Sequence, residues 1–133
     1  MKIAVITDDG KTISRHFGRA HNYLVLTIED GKISNSELRP KPGHTQFREK
    51  DHEHLEGTGQ RHGYGPMAEK RHTRMAEVIA DCQVIICRGM GIGAYDNIQS
   101  LGIRTIVTDL SSIDKAVTAF LDGSIVDHKE RLH

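Results

Sequence analysis

The chain has 133 residues, 37% of them apolar, with 18 Lys+Arg against 18 Asp+Glu, nine histidines and two cysteines. That length suits one domain with a real core, and the balanced charge excludes the broad basic field of a nucleic-acid binder. No apolar run approaches the roughly 18 residues of a membrane span, and the chain enters a strand at once, so neither a span nor a signal peptide is expected and a cytoplasmic, reducing location follows.

Lys-Ile-Ala-Val-Ile-Thr (2–7) is a short apolar run that reads as the first and central strand, closed by the turn Asp8-Asp9-Gly10. Ser14 to Ala20 has no period and is expected as a loop. Asn22 to Ile28 alternates, which predicts a second strand with Leu24, Leu26 and Ile28 on one face. Asp30-Gly31 then stands at the centre of a two-residue hairpin, and the polar stretch Ile33 to Leu38 suits a third strand at a sheet edge. Beyond Pro40 come Pro42, Gly43, Gly57, Gly59, Gly63 and Gly65 with almost nothing to bury. A long structureless segment is unusual in a compact domain, so a mobile, histidine-rich loop is expected over about 41–65, most mobile from Gln46 to Gln60.

Pro66 suits the first turn of a helix predicted to reach about Ala80, with Ala68, Met75, Ala76 and Ile79 inward. The next stretch, Cys82 to Ile98, carries the most information. Val84-Ile85-Ile86 is a continuous β-branched run suited to a strand covered on both faces. Gly89, Gly91 and Gly93 follow at alternate positions, where a tight turn is expected to need positive φ and close backbone approach. A helix then carries Ala94, Ile98 and Leu101 inward and stops at Gly102. Ile103 to Thr108 is another buried strand. Ser111 or Ser112 caps a last helix with the stripe Ile113, Ala116, Val117, Phe120 and Leu121, ended by Gly123. The rest, to His133, reads as a short polar tail.

Three strands followed by helix–strand–helix–strand–helix argue an α/β fold: a five-stranded mixed sheet in the order 3-2-1-4-5, strand 2 antiparallel, with helices on both faces. This is a ribonuclease H-like arrangement. The carboxyl ends of the first and fourth strands meet at its topological switch point, which puts Thr7–Asp9 and Cys87–Gly89 on one crevice.

A strand, a glycine turn and a helix N-terminus together form an anion-binding geometry. Gly89, Gly91 and Ala94 match G-x-G-x-x-A, with Asp109 further on, but the unit opens on the fourth strand of a small domain and carries no P-loop lysine. A turn that binds nothing is the alternative. Cys87 lies beside the turn, where a helix N-terminus is expected to favour its thiolate as a metal ligand; an inert buried thiol is the other possibility. Cys82, at the far end of the strand and about 16 Å away, is too distant to share a disulfide or an ion with Cys87. Met90 either covers an apolar ligand face or packs. Of the histidines, His72 falls on an apolar helix side, His52, His54 and His62 lie in the long loop, and His21, His128 and His133 read as surface residues. Asp8, Asp9 and Asp109 could approach one another as in a two-metal nuclease, without an evident further carboxylate.

Ser14-Arg-His-Phe-Gly-Arg-Ala20, the stretch from Asp81 to Asn97 and Gly102-Ile-Arg-Thr-Ile-Val-Thr-Asp109 together resemble the signatures of the dinitrogenase iron–molybdenum cofactor biosynthesis family. The resemblance spans nearly all the chain except Lys41 to Arg61. That family comprises accessory proteins carrying nitrogenase cofactor or its precursor clusters, and the related orange proteins holding a molybdenum–copper–sulfur cluster. The resemblance implies a ribonuclease H-like fold and a non-catalytic carrier for an anionic metal–sulfur cluster. Its partners would be cluster donor and acceptor proteins, not a membrane or nucleic acid. His16, Arg19, Cys87, Arg88, Gly89, Met90, Gly91 and Gly93 are then the candidate binding residues. His16, His62 and Cys87 are the candidate metal contacts, with His52, His54 and His72 behind them. The rival functions are a nucleotide- or phosphate-binding regulatory module on the glycine turn, and a metal-dependent nuclease.

Overall fold

β1 (Lys2–Thr7) is buried at every position from Ile3 to Thr7, as a run without polar alternation should be when both faces are covered. In this computed structural model, which describes residues 1–41 and 75–133, four more strands build outward from it: β2 (Asn22–Glu29), β3 (Lys32–Pro40), β4 (Val84–Cys87) and β5 (Arg104–Val107). The sheet order is β3-β2-β1-β4-β5, as expected. β2 is antiparallel to β1 and to β3, while β4 is parallel to β1 and to β5.

The hairpin between β2 and β3 turns on Asp30 and Gly31, with φ of 53° and 74°. Positive φ at both central residues matches the right-handed twist of the flanking strands. β3 is exposed along nearly its whole length, including Ile33 and Leu38, which fits an edge. β2 departs from the one-faced expectation. Tyr23 and Val25 are buried along with Leu26 and Ile28, while Leu24 is only half-buried. An internal strand is covered on both faces, and its pairing with β3 shifts register between Thr27 and Ile28.

Residues 75–77 are helical and the chain then turns. The predicted helix therefore stops short of Ala80, because its last bonds, such as Ala80 N–H to Glu77 O and Cys82 N–H to Ile79 O, tighten to i→i−3 spacing. Met75, Ala76 and Ile79 are buried as read, and the buried Tyr23 hydroxyl donates to Met75 O at 2.7 Å. The Pro66 start, Ala68 and most of the 41–65 loop lie outside the described residues. Arg39 clamps the edge strand to this turn, donating from Nη1 and Nη2 to the two Asp81 oxygens at 2.7 and 2.9 Å. That fork holds the Asp81 carboxyl below the usual carboxylate range.

The two remaining helices are α1 (Ile92–Ser100) and α2 (Ile113–Asp122). α1 buries Ala94 and Ile98, but Leu101 is exposed, since the chain is already turning there into Gly102 at φ 78°. In α2 the Ser112 hydroxyl accepts from Lys115 N–H, and Gly123 closes the helix at φ 81°. Ile113, Ala116 and Val117 form its buried stripe, whereas Leu121 lies at the exposed rim. The tail is not a free polar end. Asp127 Oδ1 accepts from Val107 N–H at 2.9 Å and Val107 O from His128 N–H at 2.7 Å, so the tail covers the outer edge of β5. No helix among the described residues is long and apolar enough to cross a membrane.

A side chain at Gly31 would meet open space, so only its left-handed backbone resists one. Gly31→Ala should lower stability by about 1 kcal/mol, seen as a lower urea midpoint with unchanged slope. An unaltered midpoint would contradict this account of the turn.

Candidate functional site

Strand register decides which loops meet. Thr7 lies opposite Asn22, Asn22 lies opposite Pro40, and β4 and β5 run parallel to β1. The residues after Thr7, Cys87 and Val107, those before Asn22 and those after Pro40 therefore share one edge of the sheet. Chain neighbours as far apart as Asp8, Lys41, Arg88 and Asp109 are gathered there by topology.

The 8–21 segment is held by two carboxylates with separate tasks. Asp9 Oδ1 accepts from the Thr12 and Lys11 N–H groups, both at 2.8 Å, and these bonds bring its carboxyl down to about 2. Asp8 closes the other end. Its Oδ1 accepts from His21 N–H at 2.9 Å and lies 2.8 Å from His21 Nδ1, while Oδ2 accepts from the Ser14 hydroxyl at 2.9 Å. The His21 N–H leads in lowering the Asp8 carboxyl. Between these anchors a short 3₁₀ turn (Phe17–Arg19) buries Phe17 and leaves His16 and Arg19 exposed.

That loop packs directly on the glycine turn. Phe17 N–H donates to Gly89 O at 3.3 Å, and a Cβ on Gly89 would stand only 3.3 Å from Arg15 O. A side chain at Gly89 would therefore press on the Arg15 carbonyl and need the loop to give by a few tenths of an ångström. The expected positive φ is absent at Gly89, Gly91 and Gly93, and occurs instead at Gly10, Gly31, Gly102 and Gly123. The crevice thus brings His16, Arg19, Arg88 and Gly89 to neighbouring loops, and Arg88 Nε is buried there without a hydrogen-bond partner among the described residues.

Other candidates are placed differently. Cys87 is fully buried, and burial pushes its thiol up to about 12, against the pull of Lys129 and the Gly89 N–H. The expected thiolate is not what this environment favours, because desolvation outweighs the Lys129 charge and the Gly89 N–H. Cys82 is likewise pushed up to about 11, by burial and then by Asp81. Met90 is buried and forms a parallel bridge with Leu132. His133 N–H donates to Met90 O at 3.0 Å and Ile92 N–H to His133 O at 3.1 Å, so the tail engages one of the first donors of α1. Gly91 is the N-cap of α1, and Gly93 is exposed in its first turn. His128, read as a surface residue, is half-buried, with Nδ1 2.9 Å from Glu130 Oε2 and Nε2 3.8 Å from Asp109 Oδ2. Asp8 and Asp109 thus have separate partners, and among the described residues no group of three or more His, Cys, Asp or Glu gathers to hold a metal ion. His52, His54, His62 and His72 lie outside the described residues.

Two contributors escaped the sequence. The tail carries no pattern that distinguishes it from a loose end. Lys41, expected to open a mobile loop, is instead buried against Phe17 and Ala20. Its place follows only from β3 ending at the same sheet edge as β1.

These features define an α/β protein that presents arginines and a buried lysine at the switch point of a mixed sheet. The chain belongs to the dinitrogenase iron-molybdenum cofactor family, whose sequence profile matches residues 1–123. It is 31% identical over 129 residues to an uncharacterized protein of Methanocaldococcus jannaschii, covering 94% of this chain and 89% of that one. Among solved structures, the apo orange protein of Desulfovibrio gigas superposes with a TM-score of 0.65 at 22% identity, covering 96% of this chain and 92% of that one. PH0822 superposes with a TM-score of 0.69 at 19% identity, covering 98% of each chain. At such identities the superpositions establish a shared fold.

Both cysteines are free and buried, and the reactivity of Cys87 is a direct probe of this edge. Alkylation by iodoacetamide at about pH 8 should be slow in the native protein and complete in denaturant, as thiolate is the reacting form. Rapid native labelling of Cys87 would sink the description of a desolvated thiol.

Proposed function

We propose that this protein is a non-catalytic carrier of an anionic metal–sulfur cluster, of the iron–molybdenum cofactor or precursor type, which it receives from a donor protein and passes to an acceptor during cluster assembly. One observation carries the reading. Arg88 Nε is buried without a partner beside a glycine turn into which the 14–20 loop is fitted. A buried donor left unpaired costs free energy of about 1–3 kcal/mol, which an anionic cargo would offset. Family membership supports the same cargo class.

In this reading the ribonuclease H-like sheet is a rigid frame, and the cargo lies over the packed 14–20 loop and the turn after β4. Arg88 and Arg19 balance its charge, and the exposed His16 imidazole is the accessible soft ligand. Cys87 is a neutral thiol in the floor and needs no thiolate form for the cargo to be held.

The protein, purified anaerobically and reconstituted with iron, molybdate and sulfide, should retain metal and visible absorption through desalting. Arg88→Met should cut the retained metal about ten-fold, the size expected for one charge-assisted contact. Wild-type protein that emerges colourless and metal-free would defeat the proposal.

A further inference from the structure

We infer that Lys41 is a second cationic contact for the anionic cargo, beside the Phe17 ring of the 14–20 loop. The inference rests on the carrier reading and deepens it by adding a binding residue.

Lys41 follows directly on β3, its N–H donating to His21 O at 2.8 Å. From there its side chain runs beneath the 14–20 loop and is 2% exposed. An ammonium has three N–H donors, yet among the described residues Nζ makes one long hydrogen bond, 3.5 Å to Ala20 O, and lies 4.6 Å from the centre of the Phe17 ring. Among the described residues no carboxylate lies within ion-pair distance of it. Asp8, whose charge it feels, is already committed to Ser14 and His21.

A purely structural lysine would not be built this way. Buried ammonium groups are strongly penalised unless paired and fully hydrogen-bonded, and an aromatic face supplies only part of what water supplied. Burial indeed draws Lys41 down to about 8, with Asp8 opposing, which leaves it mainly protonated near neutral pH. Phe17 ties this lysine to the rest of the site, since its ring faces Nζ while its N–H reaches Gly89 O. Among the described residues, Lys41 Nζ and Arg88 Nε thus each keep donor capacity unused. Two such cations match a ligand carrying at least two negative charges.

The test uses the whole chain and tetrathiomolybdate, a metal–sulfur dianion whose binding is followed by visible absorption. Lys41→Met keeps length and removes charge. At pH 7 it should fold with a raised Tm, since the cost of a buried cation is gone, and should bind tetrathiomolybdate about ten-fold or more weakly than wild type. Wild type and Lys41→Met binding equally well would overturn the inference while leaving the carrier reading intact. A lowered Tm would also overturn it, by marking Lys41 as a structural pin. Failure of the wild type itself to bind would remove the carrier reading and this inference with it.

Discussion

The hydrogen bonding of β1 is the constraint on which the rest of the structure depends. It is buried on both faces and paired on both edges, antiparallel to β2 and parallel to β4. The change of direction across this strand lets one neighbour return through the 8–21 segment and obliges the other to arrive by a crossover. Loops from both halves of the chain therefore converge beyond Thr7 and Cys87. Everything offered here as a site stands on that convergence, and the depth of burial leaves β1 little freedom to slip in register.

At this convergence burial acts on charge in opposite ways. It makes Cys87 a poor thiolate, because the ionised form is the one that loses solvation. For Lys41 and Arg88 the same exclusion of water leaves donors with too few acceptors. A neutral floor beneath under-satisfied cations attracts anions and does not demand that the protein supply anionic ligands of its own. The family's association with an iron–molybdenum cofactor is chemically compatible with that balance.

The tail gives the crevice a further boundary. The family match ends at residue 123, yet residues 127–133 cover the edge of β5 and reach the glycine turn through Met90 and Ile92. An α-helix N-terminus attracts an acceptor from wherever one is available, and here His133 O supplies it. Reading the glycine turn as an open cradle of N–H groups therefore overstated what is free at α1.

Local pattern alone determined much of this protein. Asp30-Gly31 specified its hairpin, Val84-Ile85-Ile86 a doubly covered strand, and Gly102 and Gly123 the helix ends, because each depends on backbone preference or periodicity within a few residues. The strand order followed as well, since handedness and short connections leave few ways to assemble such a series. The tertiary structure alone decided the rest. Gly89 is crowded because Arg15 O approaches it, Cys87 is neutral because the core closes over it, and Lys41 lies at this edge because β3 ends where β1 ends. Those properties arise from contacts among residues distant in sequence, and desolvation by such neighbours leaves no mark in the local pattern.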